Sequence, residues 1–274
     1  MAERVGGVVG QFTGAASQDA GADSDAEDNV DGPQQLLLVR LDRDVCTVSL
    51  DASGSLLHLR GYRQEIGKAP LRENLAAAVV IATLKDHHSA VIDPMCGSGT
   101  IPIETAEISR KLASGRNRGF AFERWPDFEP AALAEARASA EAASLPRAPL
   151  PILASDRDQG AIGAATANAK RAGVDQDISF SRLAVSALEP PPGVARGLVV
   201  TNPPYGVRVG DRDSLRDLFA RFGSVLRERF VGWDVALLVA DRRLESQLRL
   251  DLREVLAFSN GGIRVRLLAG HVRA

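Results

Sequence analysis

Cysteine, histidine, lysine and aromatic residues are all scarce in this chain. Its two cysteines, Cys46 and Cys96, are fifty positions apart among 274 residues, and the four histidines do not cluster with them. Neither a disulfide framework nor a metal-ligand spacing can be built from such a set, so a reduced, cytoplasmic protein without a metal is the expectation. Aromatics are only 5 %, which leaves Ala, Val, Leu and Ile to fill the core. No apolar run approaches the roughly 20 residues of a membrane span. No signal-peptide pattern opens the chain, and no membrane partner is expected.

Charge of one sign is missing from most of the first segment. Residues 1–34 hold seven acids against Arg4 alone, whereas the whole chain carries a net charge of only −2. The remainder is therefore mildly basic, almost entirely through arginine, since lysine occurs only at Lys68, Lys85, Lys111 and Lys170. Residues 1–33 are rich in Gly, Ala, Ser and Asp. They cannot bury enough apolar surface to offset the entropy of ordering, and they read as a disordered acidic tail.

What is present begins with β-prone runs at Leu36–Leu41, Val45–Leu50 and Leu56–Arg60, separated by turn residues. This small unit, residues 34–62, is too small to be stable alone. A helix follows from Pro70 to Lys85, with proline in its first turn. Then Ala90-Val91-Ile92-Asp93 reads as a buried strand, Pro94 to Thr100 as a Gly-rich turn, and Ile101–Leu112 as a helix. Residues 114–150 form an insertion containing a second, Ala-rich helix from Pro130. The alternation resumes with a strand ending at Asp156, a helix over 158–172, and strands over 178–183 and 197–201. A helix over 213–229, a strand over 233–240 and a short helix from Arg242 follow. Two last strands, 255–259 and 263–268, are joined by Asn260-Gly261-Gly262, a strong hairpin signal. The fold class is α/β: a doubly wound, Rossmann-like sheet of seven strands from Ala90, closed by an antiparallel hairpin.

Two stretches carry chemistry. At the first, Gly97-Ser98-Gly99 lets a ligand approach the backbone at a helix N-terminus, and Asp156 on the next strand could accept both hydroxyls of a ribose. Pro102 stands where a dinucleotide fingerprint wants its third glycine, and the turn lacks the lysine of a P-loop. The second stretch is Thr201-Asn202-Pro203-Pro204-Tyr205-Gly206, where an apolar strand stops at an amide followed by two prolines. On these residues alone two readings stand. One is a stiff, reactive loop suited to a planar group bearing an amine, and the other is a Pro-rich turn closing a strand.

Together, Val91 to Thr100 and Thr201 to Gly206 resemble the amino-methyltransferases that modify exocyclic nitrogens. Leu57 to Arg63, Lys68 to Ala76, Phe120 to Phe128 and Asn260-Gly261 narrow the resemblance to bacterial large-subunit rRNA guanine-N2 methyltransferases. These usually carry a THUMP RNA-binding domain, of which residues 36–60 resemble only the end. The resemblance implies S-adenosylmethionine as cofactor, with Asp93, Cys96, Gly97, Ser98, Gly99 and Thr100 lining its methionine end and Asp156, with Arg157, at its ribose. It further implies that Asn202 and the Pro203 carbonyl accept hydrogen bonds from the guanine amine. Pro204 would stiffen that loop and Tyr205 would stack on the base. Ala184 falls where the family commonly has an acid that contacts the adenine amine. RNA is the implied partner of a monomeric methyltransferase domain over residues 63–274, which either finds RNA by itself or receives it through an accessory RNA-binding protein. Protein-glutamine and DNA-adenine methyltransferases share the amide-proline loop, and a catalytically inert RNA- or cofactor-binding relative is a third reading. Arg60, Arg63, Arg72 and Arg124 are candidates for phosphate contact, and Trp125 and Phe128 for anchoring the insertion. His87 and His88 are expected to complement the dipole at a helix C-terminus.

Overall fold

The computed structural model describes residues 35–64, 71–204 and 212–273. The stretch 1–33, Pro70, Tyr205 and Gly206 lie outside them.

Strands β1 (Leu37–Asp42) and β2 (Val45–Leu50) pair with each other alone, as a two-stranded antiparallel sheet. Their register places Leu37 opposite Leu50, Val39 opposite Val48 and Leu41 opposite Cys46, so one face of the ribbon is entirely apolar. The unit leans on the insertion: Phe122 N–H donates to Ala52 O at 3.2 Å, and Arg118 donates to the carbonyls of Ser53, Ser55 and Leu56. Trp125 Nε1 donates to Gln35 Oε1 at 2.8 Å, which ties the insertion to this unit as expected of Trp125, whereas Phe128 packs on Phe122 within the insertion itself. The expected third run, Leu56–Arg60, is not a strand. It closes a turn through Leu59 N–H to Leu56 O, and its leucines are exposed because no strand pairs with it.

The large sheet has the order β5-β4-β3-β6-β7-β9-β8. Strands β3 (Val91–Asp93), β4 (Ile152–Asp156), β5 (Ile178–Arg182), β6 (Leu198–Thr201) and β7 (Asp234–Val239) are parallel. The reversed strand is β9 (Ile263–His271), inserted beside β7, with β8 (Arg253–Asn260) at the edge. Gly261 and Gly262 join them with φ of 56° and 78°, the two positive values a type I′ hairpin needs.

Helices cover both faces. Alternate residues of the central strands divide between them: Val199, Val235 and Leu237 pack with Phe219, Phe222 and Leu226 of α5 (Arg212–Arg229). Leu198, Val200, Ala236 and Leu238 pack with Val79 and Val80 of α1 (Glu73–Thr83) and Ile101 of α2 (Thr100–Ser109). A third cluster joins α2 to α4 (Gln159–Ala172) around Ile103, Ala106, Ala165 and Ala169. Helix α2 ends three residues earlier than its pattern suggested, because Lys111 takes a left-handed φ of 57°. Helix α3 (Pro130–Ala142) lies in the insertion and has no buried residue, while α6 (Arg242–Leu248) packs beneath α5.

The chain leaves β3 in one direction to build β4 and β5, then returns to build β6 on its other side. The strand order therefore reverses between β3 and β6, the switch point at whose carboxyl ends doubly wound sheets bind their ligands.

Packing of α5 on α6 is tight at Gly223, where an added Cβ would strike the backbone of Leu248. Gly223→Ala is expected to destabilise the protein by about 1–3 kcal/mol through overpacking, measured by urea unfolding.

Candidate functional site

Parallel pairing sets the site. Asp93 ends β3, Asp156 ends β4 and Thr201 ends β6, so all three strand ends lie on one edge of the sheet. Asp93 is buried at 2 % exposure and accepts hydrogen bonds from Thr201 Oγ1 at 2.7 Å and from Met95 N–H at 3.2 Å. Burial pushes its carboxyl up to about 7, a rise that the bonds from Thr201 and Met95 oppose and the nearby Asp156 carboxylate reinforces.

The turn after β3 is fully accounted for. Cys96 N–H donates to Ser155 O at 3.0 Å and Gly97 N–H to Asp156 Oδ2 at 3.1 Å, which ties the turn to the end of β4. Asp156 Oδ1 meanwhile accepts the Asp158 N–H at 3.0 Å. Gly97 and Gly99 both have left-handed backbones, with φ of 53° and 88°. Only Gly99 is closely approached: a Cβ there would come within 3.0 Å of the Ala165 methyl, whereas at Gly97 it would meet nothing within 4 Å. One glycine thus serves packing of α2 on α4, and the other presents bare backbone to open space. Ser98 and Thr100 are buried. Cys96 is buried too, and its thiol is pushed far up, first by burial and then by the charges of Asp93 and Asp156. Such a shift favours the un-ionised thiol, which is the weaker nucleophile.

Asn202 follows Thr201 directly and is half-buried; Pro203 is buried and Pro204 exposed. Tyr205 lies outside the described residues. Ala184 is exposed just beyond β5, where Leu183 N–H reaches Asp156 O at 3.0 Å, so it sits at the same sheet edge. Arg157 is exposed as well, and its carbonyl accepts from Arg182 Nε at 3.2 Å. The structure therefore gathers the Asp93 to Thr100 turn, Asp156, Ala184 and the amide loop at the ends of neighbouring strands.

Two residues of the site were not expected. Thr201 was read as the last residue of a strand, yet it is the donor that holds Asp93. Asn168 was unremarked inside an Ala-rich helix, yet it is fully buried and donates from Nδ2 to Ser98 O at 2.9 Å. A signal existed: Asn168 interrupts the apolar stripe Ala165, Ala169, Ala172 at helical spacing, and a buried amide there needs a partner.

Several basic residues correct the expectations set for them. Arg60 pairs with Glu104 at 3.2 Å and Glu107 at 3.5 Å, and Arg63 with Glu73 at 3.4 Å, with both arginine side chains close to nine-tenths buried. They neutralise acids that burial would otherwise forbid and have no free face for phosphate. Arg72 and Arg124 are exposed. His87 and His88 do not end a helix, since α1 stops at Thr83. They turn instead to Asp234 at the opposite edge of the sheet, at 3.3 Å and 2.9 Å, and His271 joins them at 2.8 Å. The ligand atoms of His87, His88 and Asp234 lie within 4.8 Å of one another, a spacing compatible with a metal. Lys85 N–H, however, donates to His88 Nδ1 at 3.0 Å, so His88 carries its proton on Nε2 and donates it to Asp234. That nitrogen is not available to a metal, and the cluster is a hydrogen-bonded clasp on Asp234.

The raised Asp93 carboxyl has a sign that can be tested. Between its unfolded value near 4 and its folded value of about 7, the folded state binds the extra proton, so stability contributed by this group falls as pH rises through that window. Without ligand, Asp93→Asn is expected to gain thermal stability relative to the parent protein between pH 5 and pH 8. Melting temperatures of both proteins across that range provide the measurement.

Comparison with known proteins agrees with this geometry. Residues 60–267 match the family described as the RMKL-like methyltransferase domain. Among curated proteins, the chain is 39 % identical over 251 residues to the ribosomal RNA large subunit methyltransferase K/L of Syntrophotalea carbinolica. That alignment covers 88 % of this chain and 35 % of the relative. It is 41 % identical over 244 residues to the protein of the same name from Methylococcus capsulatus, covering 86 % of this chain and 32 % of that one. The chain thus spans about a third of the length of these relatives. Among solved structures, SMU.472 complexed with SAH superposes with a TM-score of 0.79 at 29 % identity, over 89 % of this chain and 63 % of the other. A predicted N6-adenine-specific DNA methylase from Listeria monocytogenes gives 0.73 at 35 % identity, over 84 % and 60 %. With the match extending over most of its length and the doubly wound sheet in place beneath it, the chain belongs to the RMKL-like methyltransferase domain family.

Proposed function

We propose that the chain transfers a methyl group from S-adenosylmethionine to the exocyclic N2 amine of a guanine in RNA, with large-subunit ribosomal RNA as the substrate class. The observation that carries this reading is the 2.7 Å hydrogen bond from Thr201 to Asp93. It locks the strand end bearing Asn202-Pro203-Pro204 beside the strand end bearing the glycine turn. An amine-binding loop and a cofactor cradle are thereby neighbours. The names of the K/L relatives support RNA, and the choice of guanine N2 rests on the resemblance of residues 57–76 and 120–128.

The residues present suit the cofactor. Gly97 offers bare backbone, and each Asp156 oxygen that accepts one backbone N–H retains a lone pair for a ribose hydroxyl. Asp93, buried and pushed up to about 7, would be held ionised by the cationic ammonium of a methionine moiety. When bound, the cofactor supplies an electrophilic methyl on a sulfonium. The protein's task is orientation: the Asn202 carboxamide oxygen and the Pro203 carbonyl accept the two amine protons, which turns the nitrogen lone pair away from them and toward the methyl. The carbon–nitrogen bond forms as the carbon–sulfur bond breaks, its electrons stay on sulfur, and the surplus proton leaves for solvent. A neutral amine needs no strong base for this, so geometry carries the catalysis.

A second reading has a specific observation behind it. The Listeria structure is named for adenine methylation in DNA, and the amide-proline loop would accept any planar amine. Parallel assays with RNA, DNA and a release factor separate the substrates.

In the assay that decides the main reading, labelled methyl is transferred to unmodified rRNA by the parent protein. Asn202→Ala is expected to lower transfer about 100-fold or more while leaving the melting temperature in place; full activity in that variant removes the proposed role. Ala184→Asp restores the acid that the resemblance calls for. It is expected to tighten SAH binding about tenfold by calorimetry, the worth of a hydrogen bond to a charged group.

A further inference from the structure

The Ser98–Gly99 peptide is gripped at both ends. Its carbonyl accepts Asn168 Nδ2 at 2.9 Å and its N–H donates to Cys96 O at 2.8 Å. A peptide plane fixed on both sides fixes the dihedrals that flank it, here the left-handed φ of 88° at Gly99, the last residue before α2. The grip comes from one stripe of α4. Ala165 meets Gly99, Asn168 meets Ser98 three residues on, and Arg171 follows after three more. Arg171 donates from a terminal nitrogen to Asn168 Oδ1 and from Nε to Tyr62 O at 2.9 Å. Asn168 is thereby oriented, since an amide whose oxygen is held by a guanidinium must present its NH2 to the other side.

Beyond Arg171 stands the segment Arg60–Arg63, which is seated in the protein rather than draped over it. Tyr62 is 2 % exposed and its hydroxyl donates to Glu104 Oε1 at 2.8 Å. Arg60 pairs with Glu104 and Glu107, and Arg116 closes on Glu107 at 2.6 Å. This segment is the stretch that joins the β1–β2 unit to the methyltransferase sheet.

We propose that Asn168 and Arg171 are positioning residues that set cofactor affinity by holding the Ser98–Gly99 peptide, and that they couple the cofactor turn to the seating of Arg60–Arg63. The proposal rests on the reading of the glycine turn as the cofactor cradle. Neither side chain touches reacting atoms. Both act through the backbone they orient, and a change in the seat of Tyr62 is transmitted to Gly99 through two hydrogen-bonded side chains.

The test is calorimetric binding of SAH to the full chain and to three variants, with the cofactor KM and kcat measured on rRNA beside it. Asn168→Ala, which loses the contacts to Ser98 and Arg171, is expected to weaken SAH binding about tenfold. Asn168→Asp keeps an acceptor for Arg171 but aims a carboxylate oxygen at Ser98 O, and it is expected to bind at least as weakly. Arg171→Lys lacks the fork that spans Asn168 and Tyr62 and is expected to bind about threefold to tenfold more weakly. In each the cofactor KM rises with the SAH dissociation constant and kcat changes no more than about twofold, a split that mere loss of stability does not produce. Parent-like SAH affinity in Asn168→Asp overturns the role of the Ser98 contact. If the Asn168 variants fail to fold, Arg171→Lys decides, because its side chain is only partly buried; unchanged affinity there overturns the coupling. A parent protein that binds no SAH at millimolar concentration overturns the cradle itself, and the proposal with it.

Discussion

A single buried hydroxyl–carboxylate bond, Thr201 to Asp93, joins the two strand ends on which the site depends. Without it, a carboxyl at 2 % exposure at the end of β3 would lack its closest donor, and only the parallel pairing of β3 with β6 would hold the loop that follows β6 beside the glycine turn. The energetic cost of burying that carboxyl is visible in Asp93 itself, which burial pushes up to about 7 against the opposing effect of the Thr201 bond. A group so placed is accommodated either protonated or beside a cation. Strain of this kind in the ligand-free protein is consistent with a site prepared for a positively charged molecule.

The second constraint is the ionic cluster under the glycine turn. Glu73, Glu104 and Glu107 are almost wholly buried, and burial pushes the carboxyl of Glu104 up to about 8 despite Arg60 and Tyr62 beside it. Replacing such a cluster with apolar residues is often neutral or stabilising, whereas removing one partner typically costs about 3–5 kcal/mol. What the cluster supplies is a unique seat for Arg60–Arg63. Leucines at 56, 57 and 59 are exposed and specify nothing comparable, so the charges define where this segment enters the fold. Arginines that composition made eligible for RNA are consumed here, which shifts attention for phosphate contact to exposed residues such as Arg72 and Arg124.

At the other edge of the sheet the same chemistry is used for closure. Burial acts to raise the Asp234 carboxyl, but hydrogen bonds from His88, His271 and His87 outweigh it and hold the group low. Three of the chain's four histidines are thus spent on pinning the start of β7 to the end of β9 and to the turn before β3. The two edges thus differ: Asp93, Asp156 and the glycine turn stand at one, and at the other the histidine clasp on Asp234 lines a cavity.

Much of this was legible in the residues. Ala90 to Ile92 and Leu198 to Val200 are short unbroken apolar runs because both faces of a parallel sheet are covered, and that pattern survives without any tertiary knowledge. Glycine at 97 and 99, and proline at 203 and 204, announce backbone geometry by themselves, as Asn260-Gly261-Gly262 announces a hairpin. Sequence by itself therefore determined the fold class and the place of the glycine turn and the amide loop, while the choice between a reactive loop and a Pro-rich turn came from the family resemblance of the surrounding stretches. Tertiary structure alone decided which polar groups serve them. Thr201 and Asp93 are 108 positions apart, Asn168 and Ser98 are 70, and Arg171 and Tyr62 are 109. Hydrogen bonds between such distant groups leave no period in the chain, because a side chain's partner is set by where the sheet and its helices bring two surfaces together.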